Sequence, residues 1–173
     1  MLFRSPLASA SHPLGNGSVA SNIITSGGVS NPALSYIALE SAWTQMITMQ
    51  SDAGNYLGYT GPFELIVGTT LLPYAERLLG TNGIAGTFNL DPSTLKGRIT
   101  KVVYSPYITS TTAWALRCID DDDHGLVMVN RRTKVSHSQY DITKDVDLFT
   151  LTAIWCKAID DWRGFLYSSG LGA

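Results

Sequence analysis

The stretch SNPALSYIALESAWTQMITMQ, residues 30–50, constrains the fold most, because its apolar residues recur with a helical rather than an alternating period. Ser30 or Asn31 can cap it, and Pro32 takes the first helical position, where proline's missing N–H costs nothing. Tyr36, Leu39, Trp43, Met46 and Gln50 follow steps of three and four with Ile47 beside them. That spacing predicts one long amphipathic helix of about five turns. Gly54 and Pro62 in the following DAGNYLGYTGP supply its stop signals.

What surrounds this helix is mostly strand-like. FELIVGTT (63–70) reads as a short apolar strand, and TLLPYAERLLGTNG as a short helix with Leu72, Ala75, Leu78 and Leu79 on one face, Pro73 in its first turn and Gly80 at its end. Residues 80–97 read as a loop in which Phe88 and Leu90 can anchor. From Arg98 onward RITKVVYSPYI, TAWALRCI, GLVMVNRR and DLFTLTAIWCKAI are rich in β-branched and aromatic residues and separated by turn signals. One strand, a helix and then several strands predict an α+β domain with an antiparallel or mixed sheet. Residues 6–31, rich in Ser, Gly and Asn, read as an extended arm or loop rather than a packed element.

Composition narrows the function. Of 173 residues 45% are hydrophobic and only 15% charged, against roughly 25% charged in ordinary soluble domains. Such a surface suits a subunit that covers part of itself with neighbours. Net charge is −2 and the longest basic run is Arg131-Arg132, so the electrostatic footprint of a nucleic-acid binder is absent. No apolar run reaches the roughly 18 residues of a membrane span. Pro6, Ser9, Ser11 and Pro13 interrupt any secretory signal core, which fits a cytoplasmic synthesis compartment. Cys118 and Cys156 are isolated in apolar strand-like contexts and read as buried thiols, with a single bridge between them left open.

The candidate chemical groups are sparse. Asp120, Asp121, Asp122, Asp123 and His124 form the run DDDDHG with Gly125. A calcium loop spaces its acids at alternate positions, so the run reads as a solvated hairpin turn between WALRCI and GLVMV. His12, His124 and His137 are scattered, and no nucleophile elbow is present. GTNGIAG (80–86) follows a helix, whereas a phosphate-binding loop follows a strand and opens a helix. Trp43, Trp114, Trp155 and Trp162 read as core or subunit-interface packing. DDWRGFLYSSG, with Arg163 beside Trp162, can anchor a neighbouring subunit or pack within its own chain. The residues therefore assign no catalytic, cofactor-binding or metal-ligating position.

Four segments in order carry a resemblance. PLASASHPLGNGSVASN, then NPALSYIALESAWTQMITMQSDAGNYLGYTGPFELIVGTTLLPYAERLL, then VVYSPYITSTTAWALRC and finally DWRGFLYSSG resemble the major capsid (head) proteins of tailed bacteriophages, similar to the group of the phage Mu major head subunit. In the second segment the shared pattern falls on Pro62, Leu65, Val67, Leu72, Ala75 and Leu78, and Gly68 stands where that group often has proline. The resemblance implies the tailed-phage capsid fold. Residues 1–29 would be the remnant of an arm, 30–61 the long spine helix and connection of a peripheral domain, 62–130 a mixed-sheet axial domain with flanking helices, and 131–173 returning strands.

The implied function is structural, not enzymatic. Copies of the chain would form hexamers and pentamers and close an icosahedral shell around packaged DNA, touching it weakly and without sequence preference. Scaffold, portal and decoration proteins are the other implied partners. The resemblance implies no membrane contact and no cofactor, and it places the protein in the virion, and in the bacterial host cytoplasm before assembly. An encapsulin-type shell protein is the alternative within the fold. A minor head decoration or tail-tube protein, and a small metal-dependent enzyme acting through Asp121 and Asp123, are alternatives outside it.

Relatives of this kind carry an arm and an extended hairpin loop ahead of the spine helix. About 30 residues precede the helix here, too few for both, which suggests the C-terminal part of a longer protein. Met1 to Ser5 lie outside the likeness. They translate the end of a common sequencing adapter and read as an artefact.

Overall fold

The computed structural model describes residues 6–80, 95–119, 126–159 and 161–172. The chain divides into two compact units, Met1–Gly125 with Asp161–Ala173, and Leu126–Asp160. The first opens with two short antiparallel strand pairs, β1 (His12–Pro13) with β2 (Val19–Ala20) and β3 (Thr25–Ser26) with β4 (Val29–Ser30). It continues through α1 (Tyr36–Ile47), β5 (Phe63–Gly68), α2 (Leu72–Gly80), β6 (Ile99–Ser105) and β7 (Trp114–Cys118). The second unit holds β8 (Leu126–Asp141) and β9 (Val146–Ile159), after which β10 (Phe165–Ser168) belongs to the first unit again.

The first unit is organised by a four-stranded sheet in the order β10-β7-β5-β6. β5 and β6 run parallel, joined by a crossover that contains α2, while β7 is antiparallel to both β5 and β10. The sheet is therefore mixed, as the α+β pattern predicts. Phe63, Leu65 and Val67 of β5, Trp114, Leu116 and Cys118 of β7 and Leu166 of β10 point to one side. There they join Ala38, Leu39, Ala42 and Met46 of α1 and Ala75 and Leu78 of α2 in one core cluster.

The long helix is shorter than its periodicity suggests. α1 spans 12 residues, its N-cap is Ser35 rather than Ser30 or Asn31, and Gln50 lies beyond it in a bridge to Tyr56. Ser35 Oγ accepts from Ala38 N at 3.2 Å, and at the far end Thr48 N donates to Thr44 O. The reason for the late start lies at Asn31 and Pro32. Asn31 has φ 58°, outside the right-handed helical region. The Pro32 carbonyl accepts from Trp114 Nε1 at 3.0 Å and from Ser168 Oγ at 2.6 Å. A segment committed to β7 and β10 in this way cannot also be the first turn of the helix.

Residues 6–31 also differ from the expected arm. Ile24, His12 and Asn22 are completely buried. Ile24 N donates to Tyr167 O and Tyr167 N to Asn22 O, so residues 22–24 run along the outer edge of β10. A segment poor in apolar residues packs here because its few buried polar groups find partners. Gln45 of α1 helps, accepting from Thr25 N and donating to Ile23 O.

Two further expectations are corrected. β7 and β8, which flank the acidic run 120–125, belong to different sheets, so no hairpin joins them. β8 also runs through 130/131, with a bulge between Asn130 and Arg132, so a domain boundary there would cut a strand. Among the described residues no helix is long and apolar enough to cross a membrane.

Candidate functional site

The sheet of the first unit has a second face. Because side chains alternate along a strand, the register places Phe165, Arg117, Glu64 and Lys101 in one row across the four strands, and Tyr167, Ala115, Ile66 and Val103 in the next. The first row is charged. Glu64, nearly buried, accepts from Arg117 Nη2 at 2.6 Å and lies 3.7 Å from the exposed Lys101 Nζ. The second row is apolar, and its Ile66, Val103 and Tyr167, like Phe165 of the first row, take no part in the core cluster on the other side. Above it lies an open groove of about 340 Å³ whose lip includes Tyr107, Ile108 and Thr109. Tyr107 is 92% exposed.

The second unit is a two-stranded antiparallel ribbon. Its turn is built by Asp141, whose Oδ1 accepts from Thr143 N at 3.0 Å and from the Thr143 hydroxyl, while Lys144 N donates to Asp141 O. The bonds from Thr143 hold the Asp141 carboxyl below its ordinary pKa, and a bond to Asp145 holds the Tyr140 hydroxyl above its own. Of residues 127–159, all but Val135, Asp141, Thr152 and Ile159 are exposed. Near the turn, Tyr140 pairs with Asp147, Ser138 with Phe149 and Ser136 with Leu151. These pairs share one face, on which Tyr140, Phe149 and Leu151 are 53%, 72% and 57% exposed.

A lone two-stranded ribbon is marginal in water, and contiguous exposed apolar side chains mark interaction surfaces. The ribbon is also divided in charge. Residues 126–140 and 148–159 contain Arg131, Arg132, Lys134 and Lys157 and no acid, whereas 141–147 contain Asp141, Asp145 and Asp147 against Lys144. Strand pairing thus gathers more cations than the Arg131-Arg132 dipeptide alone suggests.

A third feature is buried in the first unit. The rings of His12 and Trp162 stack with centroids 4.2 Å apart and planes 3° from parallel. Burial lowers the His12 pKa below its ordinary value, and the Arg163 charge adds to this against the opposing bond to Asn22. Asn22 Oδ1 accepts from His12 Nε2 at 3.1 Å and from Ser9 N at 2.8 Å, while Nδ2 donates to the carbonyls of Leu7 and Phe165. Arg163 lies 4.9 Å from the Trp162 ring, donates to both oxygens of Asp161 and pairs with Asp52, which also accepts from Gly15 N. Trp162 and Arg163 are therefore spent within their own chain, the second of the two roles open to them in the sequence.

The remaining candidates are dispersed. Asp120–Asp123 and His124 lie outside the described residues, as do residues 81–86 of the glycine-rich stretch. His12 belongs to the first unit and His137 to the ribbon. Among the described residues no three His, Cys, Asp or Glu side chains gather as metal ligands. Cys118 and Cys156 form no disulfide; Cys118 is buried as expected, whereas Cys156 is exposed on the ribbon. Trp114 is buried and Trp43 carries the Arg98 guanidinium 4.5 Å from its ring centroid. Trp155, expected as packing, is 61% exposed on the ribbon.

Comparison with known proteins turns on a family match. No curated protein matches the chain. Among solved structures, the virus-like particle from Pyrococcus furiosus is similar at 14% identity and a TM-score of 0.36, over 76% of this chain and 48% of that one. The chain thus spans about half the length of that structure's subunit. The family model described as phage capsid protein matches residues 5–168, nearly the whole sequence. By that match, the chain belongs to the phage capsid protein family.

Proposed function

We propose that the protein is a shell-forming subunit of a phage head, similar within its family to the phage Mu-like major head subunit. Copies associate into hexamers and pentamers and close an icosahedral shell around packaged DNA, which they touch weakly and without sequence preference. Scaffold, portal and decoration proteins are its further partners in the virion, and the host cytoplasm is where it resides before assembly. Its role is structural rather than enzymatic. The observation that carries this reading is the family match over residues 5–168.

Within that reading α1 is the spine helix of a peripheral domain over residues 30–61, preceded by the segment 1–29. The axial domain begins at residue 62 and takes in β5, α2, β6 and β7, after which the chain returns through the ribbon and β10. Exposed apolar side chains on a chain with only 15% charged residues agree with a subunit whose surface is covered by its neighbours. The match to a phage capsid family favours a genome-enclosing head over an encapsulin-type shell. Quantitative mass spectrometry of purified particles tests the proposal. The chain is expected as the dominant particle protein, and its presence only at the level of a minor component would overturn the reading.

A further inference from the structure

We infer that the turn-proximal half of the ribbon of one copy seats on the outward sheet face of a second copy, a head-to-tail contact that rests on the shell-subunit reading above. Two surfaces of the chain are left uncovered. Tyr140, Phe149 and Leu151 present one apolar face of the ribbon, flanked by the carboxylate of Asp147. The sheet face presents the groove over Ile66 and Tyr167, and the neighbouring row ends in Lys101, whose side chain is 65% exposed.

The two surfaces match in chemistry and in sign. Residues 141–147 carry three carboxylates against one lysine, while the exposed end of the charged row is a lysine whose nearest partner, Glu64, is already held by Arg117 at 2.6 Å. A ribbon laid on the groove places apolar side chains on apolar side chains and brings Asp147 to Lys101. Parallel ribbon-to-ribbon pairing is the poorer solution, since it would set like-charged stems against each other. Because the two surfaces differ, the contact is heterologous, and repetition of it closes a ring or extends a lattice.

The test uses the full chain with Cys156→Ser, which removes the exposed thiol. Phe149→Cys and Thr109→Cys are made in separate preparations, mixed and oxidised. Both positions are exposed, so the variants should keep the wild-type circular dichroism. Crosslinking between the two variants, at least tenfold above either alone, is expected. The double variant Phe149→Asp/Leu151→Asp should raise the dissociation constant measured by sedimentation velocity at least tenfold. Crosslinks formed only by Phe149→Cys with itself, or oligomers unaffected by the two aspartates, would overturn the pairing and leave the shell reading intact. A wild-type chain that sediments as a monomer at every concentration would overturn the pairing together with self-association.

Discussion

Replacing Asn22 by alanine tests whether one polar hub holds residues 6–22 in place. Its side chain makes four hydrogen bonds: Ser9 N at 2.8 Å and His12 Nε2 at 3.1 Å to Oδ1, and Nδ2 to Leu7 O at 2.6 Å and Phe165 O at 3.1 Å. Alanine removes all four together. A buried donor left without an acceptor costs about 1–3 kcal/mol. The His12 ring is completely buried and stacked on Trp162, so it meets that whole penalty. The other three groups are partly buried and recover water, losing about 0.5 kcal/mol each. The expected destabilisation is about 3 kcal/mol, a large share of the roughly 5–15 kcal/mol that stabilises a domain. Urea unfolding followed by tryptophan fluorescence reads the loss, and amide exchange at Ser9 should accelerate while the amides of β5 stay protected. Asn22→Asp should be no better, since it sets a carboxylate oxygen against the carbonyls of Leu7 and Phe165. A loss under about 1 kcal/mol with Ser9 exchange unchanged would refute the reasoning.

The other predictions concern the same unit. Glu64→Gln leaves Arg117 without its charged partner at 2.6 Å and should cost about 2 kcal/mol in thermal unfolding, whereas Lys101→Ala, at 3.7 Å and 65% exposed, should cost under about 0.5 kcal/mol. Because burial lowers the His12 pKa, the folded state binds fewer protons than the unfolded chain below the ordinary value of 6.5. That contribution is present above pH 6.5 and lost as pH falls towards the lowered value, so urea midpoints should drop between pH 7.5 and 5.5 by more in the wild type than in His12→Gln. Gly170 has φ +69°, and a Cβ there would lie 2.1 Å from Thr112 O. Gly170→Ala should therefore lower the melting temperature by several degrees, and an unchanged value would show that the loop after β10 yields freely.

How far the fold was legible depended on where each segment finds its partners. β5 and α2 fall within FELIVGTT and TLLPYAERLLGTNG, because local apolar spacing and the positions of Pro73 and Gly80 suffice. The start of α1 was not legible. Ser30-Asn31-Pro32 is a good local cap, but the Pro32 carbonyl is taken by Trp114 and Ser168, more than eighty residues away. Residues 6–31 read as an arm for the same reason, since the Phe165 carbonyl that bonds Asn22 and the Trp162 ring that stacks on His12 come from the far end of the chain.

The ribbon shows the opposite limit. DLFTLTAIWCKAI reads as a strand and is one, but its pattern leaves open whether Trp155 packs in the core or at a subunit interface, and in the structure Trp155, Phe149 and Leu151 are all exposed. A strand pattern records that side chains are fitted to a pleated, covered surface. It does not record which chain covers them. In a family of shell proteins that distinction is where the function lies, because an interface between copies and a core within one copy are written in the same residues. Only the register of β8 against β9, with no second layer over either strand in the ribbon unit, separates the two, and it places Tyr140, Phe149 and Leu151 among the side chains that answer to a neighbour.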